Sequence, residues 1–124
     1  MLEVLQSPDQ VAALAVSGTL TGGDYDRVIA EVEAKLARHE RIGVLMDLTL
    51  FEDFTAEAAW KDIRYDLSKL FELKRFPRGA VVSSKQWTRM AVGIASSLLP
   101  HVELRTFDAG ARAEAMRWVS EIPS

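Results

Sequence analysis

Residues 2–6 and 11–20 are short apolar runs, separated by the turn-forming Ser7-Pro8-Asp9-Gln10. Proline's fixed φ suits a turn, so the two runs predict an antiparallel strand pair. Gly18 and Gly22-Gly23 then break the pattern. From Asp24 the spacing changes: Tyr25, Val28, Ile29, Val32 and Leu36 fall on one face of a helix. Asp24 and Asp26 stand in its first turn, Lys35 and Arg38 in its last, as the helix dipole prefers. Residues 42–48 are nearly all apolar, the mark of a strand covered on both sides. The stretch Met46-Asp47-Leu48-Thr49-Leu50-Phe51-Glu52-Asp53-Phe54-Thr55 reads as the end of that strand, a short polar loop and a helix start.

A second helix is expected over residues 55–73, with Trp60, Ile63, Leu67, Leu70 and Phe71 as its stripe and Thr55 as N-cap. Pro77 and Gly79 lead into a short buried strand ending at Ser83. A third helix over residues 85–99 carries Trp87, Met90, Ala91, Ile94 and Leu98 on one face and is closed by Pro100. Val102, Leu104 and Thr106 alternate with Glu103, Arg105 and Phe107, as in an edge strand. The last helix, over residues 110–122, presents Ala115, Met116, Trp118 and Val119. The order ββαβαβαβα predicts an α/β fold. Its sheet should be mainly parallel, of about five strands, with helices on both faces and an antiparallel first edge. At 124 residues, with 48% hydrophobic and 27% charged positions, the chain reads as a single globular domain over residues 1–124.

The strand Val44-Leu45-Met46-Asp47-Leu48-Thr49 leading into a helix, within this order, resembles the STAS domains, typified by an anti-sigma-factor antagonist. The chain is more similar to the bacterial SpoIIAA-like family. The similar features are Gly18-Thr19-Leu20-Thr21 with Asp24-Tyr25, Phe54 with Ala59-Trp60, Gly79-Ala80-Val81-Val82 with Trp87, and Phe107 with Trp118. The resemblance runs over nearly the whole chain and rests on order and spacing. It implies a STAS-like fold related to the CRAL-TRIO lipid-binding fold, with helices able to cover an apolar cavity or rest on a membrane. One departure has consequences. Phosphorylatable antagonists carry an Asp-Ser-Ser-Gly type sequence at the second helix, whereas this chain has Glu52-Asp53-Phe54-Thr55-Ala56.

Charge is unevenly placed. The net charge is −3, yet residues 60–90 hold eight bases and three acids, a net of +5, and the remainder carries −8. A basic segment on an acidic body suits lipid headgroups or phosphates. Lys74, Arg75 and Arg78, beside Phe76, form the expected membrane-facing group. The third helix also has Val92, Ala95 and Leu99 outside its main stripe, which suits core, a homodimer contact or an interfacial surface. Nucleic acid is not an expected partner, because the pI is near 5.4 and the bases lack an aromatic platform pattern.

Candidate chemistry is sparse. There is no cysteine, and the two histidines, His39 and His101, are far apart and lack ligand-spaced partners, so neither metal nor cofactor is expected. No nucleophile elbow or phosphate loop occurs, and no catalytic residue is assigned. In open α/β sheets ligands sit beyond the carboxyl ends of the strands. That rim gathers Thr21 to Gly23, Asp47, Thr49, Ser83, Ser84, Lys85 and Trp87. Asp47, Thr49, Ser83 and Ser84 would orient a polar head, and Phe54, Trp60, Trp87 and Met90 would supply apolar cover. The alternative for each is structural: polar side chains bonding loop backbone, and aromatics filling core.

These readings give a non-enzymatic module for an apolar or amphipathic, lipid-like small molecule. The expected location is cytoplasmic, with peripheral membrane contact. The alternative is a STAS-type protein-interaction module whose surface around residues 53–55 docks a regulatory partner. With the usual serine missing, Thr55 is expected to serve as a helix cap. Thr55→Ala should cost ~1 kcal/mol in chemical denaturation, and phosphopeptide analysis of protein from its native cell should find no stoichiometric phosphate on Thr55.

Overall fold

The computed structural model of the protein describes residues 2–54, 76–86, 93 and 103–121. Five strands, β1 (Leu2–Val4), β2 (Val11–Leu20), β3 (Gly43–Phe54), β4 (Arg78–Val82) and β5 (Glu103–Phe107), form one sheet in the order β1-β2-β3-β4-β5. β1 is antiparallel to β2, and the three other pairings are parallel. This is the expected mixed sheet, with β3 at its centre. Two helices are described, α1 (Gly22–Arg38) and α2 (Arg112–Ser120). The second predicted helix, and nearly all of the third, lie outside the described residues.

Side chains alternate across a strand, so neighbouring residues of β2 feed different cores. Val11 and Ala13 join Leu45, Ala80, Val82 and Phe107 beneath Ala115 and Val119 of α2. Ala12, one step along, joins Ile42 and the α1 residues Val32 and Leu36. Leu14 and Val16 pack with Leu2 and Phe51, with Val28 of α1 against them. Covered on both faces, residues 11–16 have no polar side to show, which is why they read as an unbroken apolar run.

α1 starts earlier than its apolar spacing suggests. Gly22 and Gly23 form its first turn, because Thr21 and Asp24 build a capping box: the Asp24 amide donates to Thr21 Oγ1 at 3.1 Å and the Thr21 amide to Asp24 Oδ2 at 3.2 Å. Hydrogen bonding from Thr21, chiefly its backbone amide, holds the Asp24 carboxyl below its ordinary pKa. At the other end, Asp9 of the β1–β2 turn meets His39 Nε2 at 2.6 Å, Arg38 at 2.9 Å and Lys35 at 3.7 Å. The His39 hydrogen bond, aided by Arg38 and Lys35, lowers the Asp9 pKa.

Three expectations are corrected. First, β3 does not stop near Leu48. It continues to Phe54, because β2 also continues and pairs Ser17 with Leu50 through Leu20 with Phe54. The expected polar loop is therefore strand. Second, Arg78 is not a loop charge. It lies in β4, donates to the Trp118 carbonyl at 2.7 Å, stacks over the Trp118 ring at 4.8 Å and approaches Glu103 and Glu121. Phe76 beside it packs on the Ala12–Ile42 cluster, while Lys74 and Arg75 lie outside the described residues. Third, Phe107, which alternates with Val102, Leu104 and Thr106, shares a face with exposed Glu103 and Arg105 but is itself buried. Its ring lies 5.8 Å from that of Trp118 on α2.

α2 lies close against the start of β3. A Cβ at Gly43 would sit 2.5 Å from the Val119 carbonyl oxygen and 2.8 Å from Val119 Cγ2, whereas one at Gly79 would meet only the tip of Leu104, at 2.7 Å. Backbone cannot rotate away and a leucine methyl can. Gly43→Ala should therefore destabilise the protein by roughly 1–3 kcal/mol and Gly79→Ala by less, measured by urea unfolding.

Candidate functional site

The sheet is five strands wide only as far as Asp47. β4 and β5 end at Val82 and Phe107, level with Asp47, and β1 reaches Val16 at its Leu2 end. Beyond this level, among the described residues, β2 and β3 continue as a two-stranded ribbon. Its register shifts where it begins: Ala15 pairs with Asp47 but Ser17 with Leu50, so β3 spends three steps against two of β2. Such a bulge leaves a backbone amide without a ladder partner. Here the Asp47 side chain takes it, accepting from the Thr49 amide at 3.0 Å and from Thr49 Oγ1 at 2.6 Å, both through Oδ1. The other oxygen, Oδ2, lies 3.2 Å from Nε of Arg112.

This carboxylate is buried, its side chain only 10% exposed, while Arg112 remains 49% exposed. Arg112 is the first residue of α2, a position where the helix dipole disfavours a cation. Its ion pair with Asp47 offsets that cost and draws the start of α2 toward the bulge. An open cleft of about 660 Å³ lies beside the pair. Ala15 and Leu50 supply most of its apolar surface, Leu2 and Val16 being almost fully buried; Glu3, Ser17, Thr49, Asp47 and Arg112 supply its polar groups, and Gly110 also lines it. Leu50 is 70% exposed, high for a leucine on a strand.

The structure thus brings Asp47 and Thr49 into one cleft. Ser83 and Ser84 stand outside its lining. Ser83 Oγ accepts from the Lys85 amide at 3.2 Å, and Ser84 Oγ from the Ala109 amide at 3.0 Å, so both order loop backbone. The Lys85 ammonium donates to the Phe51 carbonyl on the β4 side of the ribbon. Phe54 ends β3, and Thr21 to Gly23 open α1. Trp60, Trp87 and Met90 lie outside the described residues. Arg112, Glu3, Ser17, Leu50 and Gly110 are cleft residues that the sequence patterns do not single out. One signal for Arg112 is present: a base opening a helix needs a carboxylate nearby, and the chain's order does not say which. Among the described residues no cluster of three metal-binding side chains occurs, and no helix is long and apolar enough to cross a membrane.

Asp47 satisfies a bulge amide, a hydroxyl and a cation together. Asp47→Ala should cost about 1–3 kcal/mol in denaturant unfolding, since it strands buried donors, and Thr49→Val about 1 kcal/mol or less.

Comparison with known proteins agrees with this architecture. No curated protein matches the chain. A crystal structure of an uncharacterized protein with a SpoIIAA-like fold, from Shewanella loihica PV-4, is similar at 26% identity and a TM-score of 0.72. The match covers 96% of this chain and 92% of that one. The family model of SpoIIAA-like proteins matches residues 11–120. With that match spanning β2 through α2, the chain belongs to the SpoIIAA-like family.

Proposed function

We propose that the protein is a non-enzymatic module that holds an amphipathic small molecule in the cleft beside Asp47 and Arg112. The observation that carries this reading is the composition of the cleft. Its volume, about 660 Å³, lies within the size range of small-molecule pockets. An apolar surface led by Ala15 and the exposed Leu50 stands next to a fixed ion pair, which is the division an amphiphile requires. The position also fits: ligands of open α/β sheets gather where strands end at their carboxyl side, and β4 and β5 end at this level. Among the described lining residues, the Asp47 carboxylate is already engaged by Thr49 and Arg112, which suits a binding role for the cleft.

Membrane contact is the less supported half of the reading. It rests on the net-basic residues 60–90, and Arg78 is already engaged by α2 and Trp118. Docking of a protein partner is the second reading, favoured by the outward Leu50 on the ribbon; exposed apolar side chains beside a groove suit a partner surface.

Native mass spectrometry of freshly purified protein should show an adduct of small-molecule mass that organic extraction removes. Leu50→Asp should reduce that adduct. A bare chain in every preparation, together with a co-purifying protein lost in Leu50→Asp, would favour the partner reading instead. Flotation with anionic vesicles at low salt tests the membrane half. Binding should fall with added salt and on charge reversal at Lys74 and Arg75, with Arg78 left intact to preserve the fold.

A further inference from the structure

We infer that the cleft selects amphiphiles with an anionic head, and that Arg112 is the residue that contacts the head. The inference rests on the amphiphile reading above and adds its charge class. Three observations carry it. The guanidinium is anchored rather than loose: buried Asp47 holds Nε at 3.2 Å, and Thr49 in turn holds Asp47 through two bonds. An arginine fixed at Nε keeps its remaining N–H donors in a plane of known direction, the geometry that carboxylates and phosphates accept. With half of its side chain exposed in the cleft lining, Arg112 has donors to spare for a ligand. Asp47, by contrast, is buried and already accepts from Thr49 and pairs with Arg112, so it has little left to offer a cationic head.

Glu3 is the opposing group. It lines the same cleft and sits in register with Ala15, which pairs on its other side with Asp47. Two strand spacings put the Glu3 and Asp47 backbones roughly 10 Å apart. The Glu3 carboxylate is exposed, so it weakens anion binding through water-screened repulsion but does not occupy Arg112. Its removal should therefore improve the site, an outcome that loss of folding cannot imitate.

Decanoate, decanol and decyltrimethylammonium share one chain and differ in head charge. Titrated into the ¹⁵N-labelled full chain, decanoate should shift the amides of Ser17, Thr49 and Gly110. It should bind about ten- to hundredfold tighter than decanol, the range expected of a charged hydrogen bond, and the ammonium should bind weakest. Decyl phosphate behaving like decanoate would assign the selectivity to negative charge in general, and decanoate alone binding tightly would assign it to carboxylates; both support the inference. Arg112→Gln should remove most of the difference in affinity between decanoate and decanol. Glu3→Gln should tighten decanoate relative to decanol by roughly two- to fivefold. Equal binding of all three heads, with the same amides shifting, would overturn the anionic selectivity and leave the amphiphile reading standing. No shift at Ser17, Thr49 or Gly110 with any of them would overturn both.

Discussion

Strand β3 has two neighbours up to Asp47 and, among the described strands, one neighbour after it. Every ladder amide needs an acceptor, so the passage between these regimes requires a local solution. The register slips by one residue, and the Asp47 carboxylate replaces the missing carbonyl at the Thr49 amide. Burying a carboxylate for this purpose has its own cost, offset by a second bond, from the Thr49 hydroxyl, and by Arg112. The cation it requires comes from the first turn of α2. A backbone irregularity in the central strand thereby fixes where the last helix begins.

The remainder of α2 is held by contacts of a different kind. Ala115 and Val119 are fully buried over β3 and β4, and the backbone at Val119 touches the sheet where Gly43 has no side chain. Near its end, the Arg78 guanidinium takes the Trp118 carbonyl and lies against its ring, with Arg105 on the same ring at 5.6 Å. One arginine from the sheet secures the carboxyl end of the helix, where a cation is favoured. One arginine from the helix secures its amino end, where only a buried carboxylate makes a cation acceptable. The second arrangement is the one beside a cleft, and it leaves half of the arginine in solvent.

Much of the architecture was legible in the sequence because it depends on periodicity. The hairpin around Pro8, the helix through Val32 and Leu36, the two-sided strand through Leu45 and the exposed alternation of β5 each follow from spacing alone. Errors occurred where one segment's conformation is set by another. Residues 49–53 look like a polar loop, since Thr49, Glu52 and Asp53 interrupt the apolar run, and they are strand because β2 extends alongside them. Arg78 looks like part of a basic surface with Lys74 and Arg75, and it is structural because Trp118, forty residues later, presents a carbonyl and a ring to it. Phe107 shares its side of β5 with two exposed charged residues, yet α2 covers it.

The site divides in the same way. Asp47 and Thr49 could be placed at a strand's carboxyl end from the sequence, since an apolar run ending in Asp-Leu-Thr marks a change of environment. Their partner could not. Arg112 is sixty-five positions away, and although a base opening a helix calls for a carboxylate, nothing in the chain's order says which one. By itself the sequence determined the five strands, the first and last helices, their order, the mixed sheet and the two polar residues at its rim, because these follow from local periodicity and short-range hydrogen bonding. The tertiary structure alone decided which cation meets the buried carboxylate, that the ribbon opens a cleft there, and that Glu3 faces the same space. Those facts depend on strand register and helix docking, which are set by packing between segments distant in the chain.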